Sequence, residues 1–416
     1  MRQGERTDVI ASASTPEDVR FIVEYQRHLD GPIQIFCTNF VTWIYGRRLG
    51  AACFPPPKRV RGAGAPAFDG VEHSFSAASG RLSPEEAKAA AVAAYHQLLP
   101  VAQSARYALI PSGRHAQQIG MTRFCRDHTI PTLFFGYGNI KGLTVVDPWG
   151  TDAESAFFEN PKAVMASLAG EPASSDDVLE RTKAAIKARP RPLQARSKYY
   201  PYYRDLVFVL DYLAQSLTGR ISDRRPSRAA NAPPAYEVGG GGAAVRLYDT
   251  RLDDPSDYLF FPLQVSTDVQ VMMNYHGGSL EAAIAEVDDL AFRTGRKVCF
   301  KRHPVEPTGD IVNRVARRAE WEEWTSSVPD SFDHFQDYVV VNSTVGLQAL
   351  IFGKGVTFLG KSLFKHLGKD VSVADYLGSY LMDFDFQEPA TLSADTVKRM
   401  ENRAAAWSRA GLYRLG

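Results

Sequence analysis

Short apolar runs alternate with segments of helical period along most of this chain. Pro32–Cys37, Tyr107–Pro111, Thr132–Phe135 and Leu143–Asp147 read as strands. Asn39 stands where it can cap a helix running through Trp43 toward Arg48, and His115–His128 reads as a second helix. Ser83-Pro84-Glu85-Glu86 opens a third: Ser caps, Pro fits the first turn, Glu takes the third position, and an Ala-rich run continues to Leu99. This alternation predicts a Rossmann-like α/β layer.

The stretch from Asp176 to Leu217 turns helical and carries Tyr199, Tyr200, Tyr202 and Tyr203. Rings at that density suit packing, or contact with sugars and lipid headgroups. Ile221–Val245 is rich in Pro and Gly, lacks periodicity and reads as a linker. A second α/β pattern follows. Its strands are Tyr258–Val265, Val298–Lys301, Tyr338–Val341 and Gly355–Leu359; its helices are Ser279–Arg293, Asp310–Glu320, Val345–Phe352 and one from about Ser393. The expected organisation is an N-terminal Rossmann-like acceptor domain (1–175), a helical and basic segment with linker (176–250), and a C-terminal Rossmann-like donor domain (251–416). The expected fold class is α/β, GT-B-like: two Rossmann-like domains facing a central cleft, with a helical insertion.

At 416 residues the chain is long for one core, and its 44% hydrophobic and 23% charged content is ordinary for a globular enzyme. A net charge of +1 argues against a nucleic-acid partner. Basic residues are nonetheless clustered: Lys58, Arg59 and Arg61; Lys187, Arg189, Arg191, Arg196 and Lys198; Arg224, Arg225 and Arg228. These suit solvated loops or an anionic membrane surface. Cys37, Cys53, Cys125 and Cys299 show no CxxC spacing and read as reduced thiols of a cytoplasmic protein. No apolar run approaches the roughly 20 residues of a membrane span, so any membrane contact is peripheral.

Three strand ends carry candidate chemistry. The first runs out through Gln264, Ser266, Thr267, Asp268 and Gln270, where Thr267 or Asp268 could cap a helix, or Asp268 could serve as nucleophile or base. The second ends in Lys301, Arg302 and His303, the third in Asn342, Ser343, Thr344 and Gly346. A cation and an imidazole beside hydroxyls and helix-terminal amides can hold a phosphate without a metal. Three other patterns are weaker. Asp383-Phe384-Asp385 mimics a metal-binding DxD beyond the last core strand. Gly136, Gly138 and Gly142 have the wrong spacing for a dinucleotide fingerprint. Gly239–Gly242 lacks the Lys-Ser/Thr of a phosphate loop. His115 opens a helix and reads as an acceptor-side group or a cap, and Tyr275-His276 reads as surface.

Gln264-Val265-x-x-Asp268-x-Gln270, Lys301-x-His303-Pro304, and Asn342-Ser343-Thr344-Val345-Gly346 with Ala349, Leu350, Gly353 and Leu359-Gly360 resemble the bacterial capsule polysaccharide biosynthesis family. That family includes retaining β-Kdo transferases of capsule and lipopolysaccharide assembly. The segment from Leu133 to Ser155 resembles it too; residues 156–257 do so loosely. The resemblance implies CMP-Kdo as donor, a lipid-linked or glycan acceptor, no cofactor and no metal. It implies double displacement with Asp268 as nucleophile and His303 helping CMP depart. Lys301 or Arg302 would meet the phosphate or sugar carboxylate, Gln264 and Gln270 the nucleophile or sugar hydroxyls, and Ser343, Thr344 and the amides after them the phosphate. It also implies a cytoplasmic location at the inner face of the inner membrane. One position departs: where the family places a Glu after strand Thr132–Phe135, this chain has Gly136, leaving Glu154 or Glu159 for acid/base work, with Asp147 nearby. Two alternatives accompany this expectation: transfer of another CMP-linked ulosonic acid with inversion, and a non-catalytic capsule assembly or export module.

Overall fold

The computed structural model describes residues 9–60, 68, 70–100, 105–171, 177–188, 200–222, 246–250, 253–266, 268–303 and 311–413, without the side chains of 200–208, 269, 270 and 314. Thr267, the Gln270 side chain, Arg61, Arg189 to Lys198, Arg224, Arg225, Arg228, Gly239–Gly242 and the side chains of the tyrosine cluster lie outside that description.

The chain opens with β1 (Val9–Ala13) and α1 (Pro16–Arg27), joined by a capping box. Thr15 Oγ1 accepts from the Asp18 amide at 3.2 Å, and the Asp18 carboxylate accepts from the Thr15 amide at 2.9 Å. Then come β2 (Ile33–Cys37), α2 (Phe40–Arg48), β3 (Cys53–Phe54), α3 (Pro84–Leu98), β4 (Tyr107–Pro111), α4 (Ala116–Asp127), β5 (Thr132–Tyr137) and β6 (Thr144–Asp147). Asn39 caps α2 and Ser83 opens α3 in a capping box, both as the sequence predicts. Helices α5 (Val178–Lys187) and α6 (Tyr200–Thr218) follow. The next elements are β7 (Arg246–Leu247), β8 (Tyr258–Pro262), α7 (Val269–Asn274), α8 (Leu280–Thr294), β9 (Lys297–Lys301), β10 (Trp321–Glu323), β11 (Asp337–Val340), α9 (Thr344–Ile351) and β12 (Gly355–Phe358). Last are β13 (Leu381–Met382) and α10 (Ala394–Arg409).

These strands form two sheets in two compact units. In the first, the order is β13-β6-β5-β4-β1-β2-β3. It is parallel from β3 to β5, with β6 antiparallel to β5 and β13 antiparallel to β6. In the second, β12-β11-β8-β9-β10-β7, every pair is parallel. β8 is buried along its whole length between β9 and β11, with Val298, Phe300, Val339 and Ile284 of α8 in one core around Phe261. Each unit is thus a Rossmann-like α/β layer, as the sequence predicts for both halves. All four cysteines are free and buried.

Domain boundaries differ from the sequence expectation. The first unit comprises Met1–Ser174, Tyr199–Asn231 and Leu377–Gly416; the second comprises Ser175–Lys198 and Ala232–Tyr376. The helical segment is therefore divided, with α5 in the second unit and α6 in the first. The C-terminus returns to the first unit because β13 pairs with β6, Leu381 opposite Val145. A buried ion pair fixes this return. Arg403 on α10 is fully buried, contacts Glu171 at 3.0 Å, and donates to the carbonyls of Ser379 and Tyr380 at 2.5 and 2.8 Å. Phe384, the centre of the DxD mimic, stacks on Phe21 at 5.7 Å and belongs to this core.

Breaking a buried pair from one side typically costs about 3–5 kcal/mol, and here Arg399, 3.2 Å from Glu171, keeps part of the compensation. Arg403→Ala is therefore expected to lower the stability of the first unit by about 3 kcal/mol, read by urea unfolding followed by circular dichroism. A loss below about 1 kcal/mol would mean the pair does not hold the C-terminal return.

Candidate functional site

Parallel register delivers three of the predicted loop tips to one sheet edge. Pro262 pairs with Lys301 across β8 and β9, and Phe260 with Tyr338 across β8 and β11. The three strands therefore end level with one another, at the roughly 4.8 Å spacing of neighbouring strands. The Leu263 amide extends the pairing one step, donating to the Lys301 carbonyl at 2.9 Å. From β8 the chain proceeds outward to β9 and β10, then returns to β11 on the other side of β8. This reversal is a topological switch point, where open α/β sheets bind ligands at the carboxyl ends of their strands.

The gap between the β8 and β11 ends is spanned by side-chain chemistry. Gln264, almost fully buried, accepts from the Asn342 amide at 3.2 Å. Asn342 Nδ2 donates to the Lys361 carbonyl at 2.8 Å, and the Lys361 amide donates to the Asn274 carbonyl at 2.7 Å. Gly360 fits between: a Cβ there would lie 2.9 Å from the Asn274 carbonyl oxygen and 3.0 Å from that of Val341. Gln264 and Asn342 thus tie the tips together. Gly346 is fixed by packing. A Cβ there would come within 2.7 Å of the Phe358 ring and 2.8 Å of Val340, and its amide already donates to the Ser343 carbonyl at 2.9 Å. Close helix–sheet packing requires this glycine.

The polar groups at the edge differ in how far the fold commits them. Ser343 caps α9, its Oγ accepting from the Val345 amide at 3.1 Å, with Thr344 beginning the helix. Arg302 is anchored to Glu323 at the end of β10, Nε to Oε1 at 2.9 Å, and lies over the Phe300 ring. Lys301 is half-buried, and its side chain has no hydrogen-bond or ion-pair partner among the described residues. Burial pushes its ammonium below the ordinary lysine value, with Glu323 and Asp330 pulling the other way. His303 and Ser266 are half-buried at the same edge. The Asp268 carbonyl accepts from the amides of Val271 and Met272, each at 3.0 Å, so its backbone opens α7 while its carboxylate stays partly exposed.

Acceptor-side candidates lie in the first unit. His115 caps α4 at the end of β4; its Nδ1 is 3.4 Å from Ser76 Oγ, and its ring meets Phe75 edge-on at 5.5 Å. Asp147 is corrected from acceptor-side to structural. It is fully buried and accepts from the amides of Ala156 (2.8 Å), Trp149 (2.9 Å) and Phe157 (3.2 Å) and from the Tyr380 hydroxyl (2.9 Å). Burial pushes its carboxyl above the ordinary range despite these donors. Glu154 pairs with buried Arg114 at 2.6 Å. Glu154 and Glu159 both line a cavity of about 290 Å³ walled by Thr122 and Arg126 of α4, Trp149 and Tyr413. At Gly136 a Cβ would stand 3.0 Å from Thr151 Cγ2, so a longer side chain requires Thr151 to give way.

Sequence reasoning missed Asn274, Lys361 and Glu323, which brace the tips from elements with no motif of their own. Glu322 and Glu323 sit on a strand too short and too polar to read as one, and Asn274 acts through its backbone.

Replacing Gln264 by Leu strands the Asn342 amide, an omission worth about 1–3 kcal/mol. Gly346→Ala overpacks the α9 contact by a similar amount. Both variants are expected to destabilise the second unit by that range in urea, and wild-type stability in both would mean that these contacts do not brace the loop tips.

Known proteins bear on this edge. Residues 243–372 match the model of a family described as capsule polysaccharide biosynthesis protein. No curated protein matches the sequence. Among solved structures, the beta Kdo 2,7 transferase KpsC of Thermosulfurimonas dismutans is similar over 95% of this chain and 98% of its own, with 12% identity and a TM-score of 0.47. A glycosyltransferase of kitacinnamycin is 14% identical, TM-score 0.26, over 98% of both chains. The glycosyltransferase SnogD of Streptomyces nogalater is 12% identical, TM-score 0.21, over 99% of this chain and 100% of its own. At these scores the likenesses fix neither substrate nor mechanism. Residues 243–372, the segment that holds all three loop tips, are the part of the chain that resembles the capsule polysaccharide biosynthesis family.

Proposed function

We propose that this chain is a glycosyltransferase of capsule polysaccharide assembly that moves Kdo from CMP-Kdo to a lipid-linked or glycan acceptor with retention. The observation that supports the reading is that the strand ends leading to Asp268, to Lys301 and His303, and to Ser343 lie side by side at one switch-point edge, inside the segment matching the capsule family. CMP-Kdo brings two anionic groups, one phosphate and one sugar carboxylate. Lys301, whose ammonium is disfavoured by burial, gains an anionic partner when either group arrives. Ser343 and Thr344 stand at the N-terminus of α9, where helix amides and dipole favour a phosphate.

In the first step the Asp268 carboxylate attacks the anomeric carbon, the bond to the phosphate oxygen breaks, and CMP leaves with both bonding electrons while His303 stabilises it. In the second, an acceptor hydroxyl attacks the same carbon, Asp268 leaves as carboxylate, and the hydroxyl proton passes to a base. Two inversions give retention. Neither step calls on a metal.

A second reading, donor binding without transfer, has its own support. Gly136 replaces the acid/base Glu implied by the resemblance, Thr151 crowds that position, and Glu154 is engaged by Arg114.

Intact-mass spectrometry after mixing the enzyme with CMP-Kdo separates these readings. A gain of one Kdo residue is expected for the wild type and none for Asp268→Ala, which should still bind CMP in calorimetry. An adduct on Asp268→Ala would remove Asp268 as nucleophile, and no CMP release with any acceptor would favour the second reading. His303→Ala is expected to slow CMP release by about 10²–10⁴-fold, the usual contribution of a positioned acid.

A further inference from the structure

Helix α6 is built inside out. Asp211 and Gln215 face the interior of the first unit and are buried. The Asp211 carboxylate accepts from the amides of Phe40 (2.6 Å) and Val41 (3.3 Å) at the start of α2, and from the Ser222 hydroxyl. Val209, Leu210, Leu213 and Leu217 fall within a stripe of roughly 100° on the opposite side of the helix. All four are exposed, Leu217 by 87%. A surface helix ordinarily turns such a stripe inward and its carboxylate outward. Here a polar contact holds the helix, and the apolar stripe faces away from the unit it belongs to.

Cations flank the stripe. Helix α2, which packs on α6, exposes Ile44, Arg47 and Arg48, with Leu49 exposed just after it. Lys58 bridges to Arg220 at the far end of α6, and the Arg59 amide donates to the Gly219 carbonyl at 3.2 Å, which sets both exposed cations close to Leu217. Residues 40–60 contain no Asp or Glu. Leucines rimmed by cations, without acids among them, match a surface with an apolar interior and anionic headgroups. A second copy meeting this face about a two-fold axis would set cations against cations. Among the described residues no helix is long and apolar enough to cross a bilayer, so the helix would lie in the plane of the interface.

We propose that the α2–α6 face docks the protein on an anionic lipid bilayer, with Val209, Leu210, Leu213 and Leu217 entering the headgroup boundary and Arg47, Arg48, Lys58 and Arg59 meeting the phosphates. This docking rests on the α6 geometry alone. That it presents a lipid-linked acceptor to the enzyme rests on the glycosyl-transfer reading above.

Co-sedimentation of the full chain with phosphatidylcholine vesicles, with or without phosphatidylglycerol, tests the docking. The wild type is expected to bind the phosphatidylglycerol vesicles, less so as salt rises. The double change Leu213→Gln with Leu217→Gln should lower partitioning at least about tenfold. Arg47→Gln with Arg48→Gln should lower it about fivefold per cation and narrow the difference between vesicle types. Both variants should keep the wild-type melting curve and the wild-type rate of CMP release without vesicles. That rate separates failure of docking from failure of the transfer reading. Equal vesicle binding by all three proteins, or none by the wild type, overturns the proposal. So does a wild-type dimer in light scattering that the leucine changes make monomeric.

Discussion

Parallel pairing of β9, β8 and β11 is the constraint on which the candidate site depends. Parallel strands in a fixed register must end together, so loops far apart in sequence emerge side by side. Pro262 opposite Lys301 and Phe260 opposite Tyr338 set that register. A slip of one residue in β8 would turn Leu259, Phe261 and Leu263 away from the core cluster that buries them, which is how burial protects the register. At the reversal between β8 and β11 backbone pairing ends, and the Gln264–Asn342 bond carries the connection one step further. The crevice is therefore braced from below before any ligand enters it.

The motif residues divide into two kinds of work. Gln264, Asn342, Gly346 and Gly360 build the edge through one hydrogen bond, one carbonyl contact and two close approaches that leave no room for a Cβ. Arg302 is spent on Glu323. The proposed function assigns chemistry to a short set: Lys301, His303, Ser343, Thr344 and the Asp268 carboxylate. A run of residues can resemble a family at every position while few of them touch a ligand, because the same fold demands the others.

Much of this was legible in the sequence, and the failures have physical causes. The strands around Tyr258, Val298 and Tyr338 were readable because burial makes them continuously apolar, and the edge strand at Gly355 because exposed and half-buried positions alternate along it. Central strand β1 was not, since Val9–Ala13 is brief and follows a polar start; yet Thr15-Pro16-Glu17-Asp18 repeats the capping signal that revealed α3 at Ser83. The return of 377–416 to the first unit depends on Leu381 meeting Val145 and Arg403 meeting Glu171, and no local pattern encodes partners so far apart. Asp147 misled because an aspartate after a strand looks the same whether it faces a ligand or gathers four amides and a tyrosine hydroxyl. The inverted pattern of α6 was hidden for a related reason: composition shows that leucines and an aspartate share a helix, and the fold decides which face turns inward.

Proton movement is the part of the transfer chemistry that the residues constrain most tightly. Asp147 is withdrawn by burial, Gly136 has no side chain and Thr151 beside it, and Glu154 is held by Arg114. In the second unit the proposed function assigns the Asp268 carboxylate to the anomeric carbon. Glu159 on the wall of the first unit's cavity and the imidazoles His303 after β9 and His115 after β4 are then the candidates for proton exchange. His303 lies at the donor edge and suits the departure of CMP. His115 is held by Ser76 and Phe75 at the start of α4, and it belongs to the unit to which the sequence assigns the acceptor. Under the proposed reaction His303 serves the leaving group, while Asp147 and Glu154 of the first unit are already committed to holding that unit together.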